Sequence, residues 1–288
     1  MIDHPNQAAG ETLIFIPTYN ERGNIEYMLG KIFAQLPKAH VLIVDDGSPD
    51  GTSELIAELQ ENHPLGAQIH LITRPGKMGI GSAHRLAMMF SLEQNYAFLI
   101  TMDGDGSHEP ESLPKFMKLL EQHDFVMGSR FLQGSLNEYE GYRNFLSCSA
   151  NALLNRSLGM DSTEFTTAYR GFRCDWLKNF PFYKIQGQGY NFFFLCTYWV
   201  RRYGARYAEL PIQFHNRREG ESKINLKETL LGIVFLFKVI WIHRFGLKLP
   251  AGQMSHNLNC LGCGKPYMEV LSEGETKCLV CGKIVDGS

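Results

Sequence analysis

Asp103 and Asp105, separated by Gly104, follow the apolar run Ala97–Met102 and precede Gly106-Ser107-His108. Two carboxylates at i and i+2, placed at the end of a buried strand, suit packing poorly and suit a divalent cation well. Hard cations take oxygen ligands, and Mg²⁺ or Mn²⁺ is commonly held by one or two carboxylates together with substrate phosphate. A second set of chemistry-bearing residues lies near the C-terminus. Cys260, Cys263, Cys278 and Cys281 have the spacing C-x₂-C-x₁₄-C-x₂-C, and each pair is followed by Gly-Lys. That is the arrangement of a Cys₄ zinc ribbon, in which Gly allows a tight knuckle with amides aimed at thiolates. So small a module has too little core without its metal, which makes the Zn²⁺ structural. Paired disulfides are the alternative, and a reducing compartment disfavours them.

An Asp-x-Asp in a turn is by itself often only a solvated cap, so its neighbours decide its meaning. Leu13–Ile16, Val41–Val44, Ile69–Ile72, Ala97–Met102 and Phe125–Met127 are short apolar runs, the pattern of strands buried on both faces. Helix-like segments such as Asn24–Leu36 and Thr52–Glu61 separate them. Alternating strands and helices predict right-handed crossovers and an α/β fold with a mainly parallel sheet flanked by helices. Each run ends in a polar motif: Pro17–Glu21, Asp45–Thr52, Thr73–Lys77, the Asp pair, and Gly128-Ser129-Arg130. Ligands of such sheets bind beyond the carboxyl ends of the strands, so the motifs are expected to converge on one cleft.

Taken singly, each motif has an ordinary reading. Asn20 could cap a helix, Asp45-Asp46-Gly47-Ser48 could be a turn, and Lys77–Gly81 could open a helix. Taken together at successive strand ends, they fit a nucleotide-sugar. Tyr19 would stack on a base and Glu21 would hold a ribose or base edge. Asp45 and Asp46 would accept from nucleoside donors, while Lys77 and the following amides would meet a phosphate. The composition agrees: 288 residues, 44% hydrophobic, bury a large core, and a net charge of −2 does not suggest a nucleic-acid binder. The first twelve residues are polar without a secretory pattern, and no run of 18 apolar residues is present.

With these motifs in order, the chain resembles family 2 glycosyltransferases of the GT-A fold, most nearly the dolichol- or polyprenol-phosphate mannose synthase group. The resemblance continues through Thr166–Arg173, Gly189-Tyr190, Glu209–Ile212, Arg217 and Gly220-Glu221-Ser222-Lys223. It implies a domain at 11–225 with Pro17, Tyr19, Glu21, Asp45 and Asp46 lining a nucleoside pocket. Asp103 and Asp105 would bind Mg²⁺ or Mn²⁺, Asp105 more directly, and Ser107 stands where the family often has Gln or Ser near the metal. Arg130, Arg217 and Lys223 would face the diphosphate and an acceptor phosphate. The implied partners are a GDP- or UDP-linked sugar, a lipid phosphate acceptor and a possible membrane partner protein. The implied reaction is inverting transfer, mannose favoured, at the cytoplasmic face of the membrane. Three positions depart from the pattern: Glu164 for Asp, Gly104 for Ala, and Ala168 for Gly. They leave the sugar open.

A polyprenyl phosphate is already an anion and needs cations rather than a general base. A hydroxyl acceptor would need a carboxylate base, for which Glu164 is the first candidate. Two readings lie outside this class. The run Leu99–Ser107 fits an aspartyl-phosphate hydrolase pattern with Asp103 as nucleophile, but at least three strand–helix units precede it. A silent binding module built around the ribbon is opposed by the intact Asp103, Asp105, Arg217 and Lys223.

The apolar segment 230–242, within 226–249, spans only about 20 Å as a helix, against roughly 30 Å of hydrocarbon core. It reads equally as a core helix or as an interfacial helix, since Trp241, Lys227, Lys238, Arg244 and Lys248 suit a headgroup boundary. Leu249–Gln253 reads as a linker that sets the ribbon, 255–288, apart. Cys148, Cys174 and Cys196 are expected to be buried hydrophobes.

Overall fold

The computed structural model describes residues 12–138, 142–182, 185, 189–216, 218, 237, 239–241, 244, 253–255, 263, 268–270 and 275–286. Strands and helices alternate from the start: β1 (Thr12–Thr18), α1 (Arg22–Gln35), β2 (His40–Asp45), α2 (Thr52–Asn62), β3 (Ile69–Thr73), α3 (Ile80–Glu93), β4 (Phe98–Thr101), α4 (Leu113–Leu120) and β5 (Phe125–Ser129). There follow β6 (Leu136–Asn137), α5 (Tyr142–Leu158), β7 (Arg170–Arg173), α6 (Cys174–Leu177), α7 (Tyr190–Arg202), β8 (Tyr207–Pro211) and β9 (Gln213–Phe214). All five apolar runs are strands.

The main sheet has seven strands in the order β3-β2-β1-β4-β7-β5-β8. Side chains alternate across it, as the pleat requires. Leu13, Phe15, Leu42 and Val44 enter the core on the α3 and α7 side. Ile14, Ile16, Val41 and Ile43 enter the core on the α1 and α4 side. Both faces are covered, which is why these strands read as unbroken apolar runs.

One strand is reversed. β7 pairs antiparallel with β4 and with β5, whereas β5 and β8 run parallel. Six strands therefore end on one edge of the sheet, and β7 begins there. The loop 164–169 is thus delivered to the same edge as the acidic turn after β4. Arg170 opens β7 fully buried, its guanidinium donating to the Thr167 and Phe165 carbonyls at 2.7 and 2.8 Å.

Gly104 is not a free choice. A Cβ at this position would lie 2.8 Å from Cγ2 of Ile16, which is fully buried. The turn after β4 therefore presses directly on β1. Gly104→Ala is expected to cost about 1–3 kcal/mol through overpacking, measurable by denaturant unfolding.

Near the C-terminus, β10 (Gln253–Ser255), β11 (Met268–Val270), β12 (Glu275–Cys278) and β13 (Ile284–Asp286) form an antiparallel sheet in that order. The linker reading suggested a module standing apart. Instead Cys278, Leu279 and Val280 belong to the same buried apolar cluster as Ala83 and Leu86 of α3. Among the other cysteines, Cys174 and Cys196 are buried as expected, but Cys148 is exposed on α5.

Candidate active site

The ends of the first four strands are tied to one another by backbone and side-chain hydrogen bonds. The Asp46 amide donates to the Thr18 carbonyl at 3.0 Å, Arg74 to Asp45 at 2.8 Å, and Met102 to Phe15 at 3.0 Å. Asp45 is fully buried, and its carboxylate accepts from Thr18 Oγ1, the Ser48 amide and hydroxyl, and Ser53 Oγ. A carboxylate with both oxygens so engaged shapes the turn and presents no open acceptor to a nucleoside. Asp46 sits further out and pairs with the buried Arg74, whose Nε lies 2.5 Å from Oδ1. Arg74 also donates to Ser82 Oγ at 2.7 Å, and the Met78 amide reaches Asp46 Oδ2 at 3.3 Å. Burial raises the Asp46 pKa, and the attraction of Arg74 only partly offsets it. Arg74 drew no role from sequence. The available signal was a cation placed immediately after a strand end.

Tyr19 and Lys77 meet across the mouth of the cleft, with Lys77 Nζ 3.9 Å from the ring centroid. Glu21 is buried. Its amide bonds Thr52 Oγ1 at 3.1 Å, and its carboxylate accepts from Asn24 Nδ2 at 2.9 Å. It also occupies the N-terminal cap position of α1, so Asn20 is not the cap; Asn20 instead has φ of 57°. Pro17 is partly buried, and its carbonyl oxygen would lie 3.8 Å from a Cβ at Gly104.

The acidic turn is held from two sides. The Ser107 amide donates to Asp105 Oδ1 at 2.9 Å, and the Asp103 amide donates to His108 Nδ1 at 3.0 Å. That bond places the neutral ring's proton on Nε2. His108 is buried between Tyr169 and Phe214, with ring centroids 5.0 and 5.4 Å away, and burial lowers its pKa. From the other side, the His215 amide donates to the Ser107 carbonyl and the Arg218 amide to the Asp105 carbonyl, at 3.0 and 3.1 Å. The chain is thus anchored to the turn on both sides of position 217. Arg217, Lys223 and Cys260 themselves lie outside the described residues, as does most of 226–249.

Asp105 is 4% exposed, whereas the Asp103 side chain is 31% exposed. Between them and His108, Ser107 Oγ is buried without a hydrogen-bond partner among the described residues. An orphaned buried hydroxyl costs free energy unless something occupies its lone pairs. Two carboxylates and this hydroxyl are oxygen donors of the kind that could hold Mg²⁺ or Mn²⁺.

Arg130 does not stand open toward a phosphate. Its Nε bonds Glu164 Oε2 at 2.7 Å, and a terminal nitrogen bonds Thr166 Oγ1 at 3.0 Å. Its guanidinium also lies 5.1 Å from the Phe214 ring centroid, on the ring that packs against His108. Glu164 is completely buried and accepts from the amides of Phe165 and Thr166 at 3.0 and 2.9 Å. Burial would raise its pKa, but the Arg130 charge and these hydrogen bonds outweigh burial and leave it lowered. A carboxylate held this way is a poor general base, contrary to its candidacy for a hydroxyl acceptor.

Three cysteines of the C-terminal motif come together. The Sγ atoms of Cys263, Cys278 and Cys281 all lie within 4.8 Å of one another, close enough to hold a metal ion. The amides of Val280 and Cys281 point at Cys278 Sγ from 3.4 and 3.5 Å, as the knuckle reading requires.

A mainly parallel sheet with one reversed strand and an acidic turn at its carboxyl edge is the GT-A architecture. The same fold is found in glucosyl-3-phosphoglycerate synthase from Mycobacterium tuberculosis, solved with Mn²⁺ and UDP-glucose, at a TM-score of 0.59 and 17% identity over 85% of this chain and 82% of that one. Residues 13–180 match the family Glycosyl transferase family 2, and this chain belongs to that family and is a glycosyltransferase. It is 35% identical over 214 residues to undecaprenyl-phosphate mannosyltransferase from Micrococcus luteus, covering 74% of this chain and 87% of that protein. It is 34% identical over 227 residues to polyprenol monophosphomannose synthase from Mycolicibacterium smegmatis, covering 77% and 85%.

Proposed function

We propose that the chain moves a sugar, mannose favoured, from a GDP- or UDP-linked donor to a polyprenyl phosphate with inversion at the anomeric carbon. The observation that carries this reading is the similarity, over most of both chains, to two proteins named for mannosyl transfer involving undecaprenyl phosphate and polyprenol. The buried Arg130–Glu164 pair supports it, because an acceptor that arrives as an anion needs no base from that loop.

In this reading Pro17, Tyr19, Glu21 and Asp46 line the nucleoside side of the cleft, and Asp45 shapes it. Lys77 approaches the donor diphosphate. Asp103, Asp105 and Ser107 would hold Mg²⁺ or Mn²⁺, which when bound supplies positive charge against the departing nucleoside diphosphate. Arg217 and Lys223 bring the acceptor phosphate in and offset repulsion between two anionic substrates. Arg130 orders the loop 164–166 through Glu164, and its charge reaches the acceptor only beyond that pair.

The chain works as a peripheral protein at the cytoplasmic membrane face, alone or with a membrane partner protein. Among the described residues no helix is long and apolar enough to cross a membrane. In the segment 237–244, Phe237 and Trp241 are each 57% exposed while Val239 is buried. Exposed large apolar groups on either side of a buried one favour the interfacial reading over a fully enclosed core segment.

Incubation with a panel of GDP- and UDP-sugars and polyprenyl phosphate tests the proposal, with formation of polyprenyl-phosphate mannose as the expected product. Transfer only to hydroxyl acceptors would overturn it. Arg217→Ala is expected to weaken use of polyprenyl phosphate roughly 10- to 100-fold, the worth of a charge-assisted contact. Nucleoside diphosphate binding, read by calorimetry, should change little. Equal loss in both would make Arg217 a donor ligand.

A further inference from the structure

The C-terminal knuckle lies beyond the family match, which ends at residue 180, yet it is packed beside the donor loop. Gly282 has φ of 73°, and a Cβ there would sit 3.5 Å from Met78 Cε. The left-handed backbone calls for glycine. Between the two elements lies a cleft of about 610 Å³, lined by 75–79 on one side and by Lys277 and Gly282 on the other. Among the described residues its lining holds two lysines, Lys77 and Lys277, and no carboxylate.

The two knuckle residues that line this cleft are the immediate neighbours of two metal-ligand candidates. Lys277 precedes Cys278, and Gly282 follows Cys281. The turn is closed by the Gly282 amide on the Cys278 carbonyl at 3.0 Å and by the Cys278 amide on the Lys283 carbonyl at 2.9 Å. The three sulfurs lie within 4.8 Å of one another, and as thiolates they would repel unless a cation joined them. A metal bound there fixes the turn, and the turn fixes where Lys277 and Gly282 sit. On the outer side, Leu279 and Val280 anchor the knuckle in the core beneath α3, whose first residues follow the Lys77–Gly79 loop.

The geometry points to a metal-ordered second wall of the donor phosphate site, with Lys277 as a donor-binding cation contributed by the knuckle. The inference rests on the reading that the Lys77 loop takes the donor diphosphate. It assigns the cysteine cluster a part in substrate binding in addition to its structural part. The ligand class is a nucleoside diphosphate or the diphosphate of a nucleotide-sugar.

The test is calorimetric binding of GDP and UDP to the full chain in excess Mg²⁺. Lys277→Glu is expected to raise Kd roughly five- to twentyfold, since it replaces an attraction by a repulsion at a partly exposed site. Lys38→Glu, which reverses an exposed charge before β2 at the opposite edge of the sheet, should leave Kd unchanged. Removing zinc with a zinc-selective chelator, or making Cys278→Ser, should raise Kd in the same direction and raise the donor KM more than the acceptor KM. If Cys278→Ser fails to fold, the Lys277→Glu and Lys38→Glu pair still decides. Binding by the unaltered chain that stays within twofold in Lys277→Glu would overturn this inference alone. An unaltered chain that binds neither nucleotide would overturn the functional reading together with it.

Discussion

Asp105→Ala is expected to reduce sugar transfer by roughly 10²–10³-fold or more, the usual scale for losing one preorganised electrostatic element of an active site, with the fold retained. The residue sits in the enclosed part of the acidic turn at 4% exposure, while the Asp103 side chain is 31% exposed. Its Oδ1 accepts the Ser107 amide at 2.9 Å, and Ser107 Oγ beside it has no partner among the described residues. Loss of the hydrogen bond to the Ser107 amide costs about 0.5–1.5 kcal/mol, which corresponds to a fall of a few degrees in melting temperature. Removing Mg²⁺ and Mn²⁺ from the unaltered chain should reproduce the loss, and restoring either ion should reverse it. Asp103→Ala should act in the same direction. A transfer assay against metal concentration, run beside thermal unfolding, reads both quantities. Full activity with chelator in excess would remove the metal assignment, and a collapse of stability would make Asp105 a structural residue.

The sequence was most legible where one local signal sufficed. Apolar runs at Leu13–Ile16 or Val41–Val44 could hardly be anything but doubly buried strands, and their polar ends had to share an edge once the sheet was mainly parallel. The reversed strand was not legible. Arg170–Arg173 carries a charge at each end and a glycine between, and its burial depends on carbonyls of Phe165 and Thr167 meeting the Arg170 guanidinium. Pairing across distance was hidden for the same kind of reason. Asp46 meets Arg74 across 28 positions and Arg130 meets Glu164 across 34. Nothing in the spacing of either pair marks it. The cysteine spacing announced a knuckle, but Leu279 and Val280 do not announce where they dock, since docking depends on the shape of the surface beneath α3.

That Arg130–Glu164 pair carries the last expectation. Glu164→Ala should destabilise the fold by about 3–5 kcal/mol, because it removes the carboxylate paired with a largely buried guanidinium. Arg130 has only 12% of its side chain exposed, and Thr166 Oγ1 alone would remain to it of the two polar partners described above. At roughly 2–4 °C per kcal/mol, the melting temperature should fall by roughly 6–20 °C. The pH dependence has a definite sign. Glu164 has a lowered pKa in the folded state, so its stabilisation is fully present above the unfolded carboxylate value and is lost as pH falls through the folded one. Acid should therefore unfold the unaltered chain more steeply than Glu164→Gln, which has no charge to lose. Activity separates this role from catalysis. Glu164→Gln assayed below its own melting temperature should keep the shape of the pH–rate profile, because a carboxylate tied to Arg130 and two amides takes no proton from the acceptor. If Glu164 instead acted as the general base, the profile would lose its acidic inflection in the Gln variant, and a hydroxyl acceptor would replace the lipid phosphate in the mechanism.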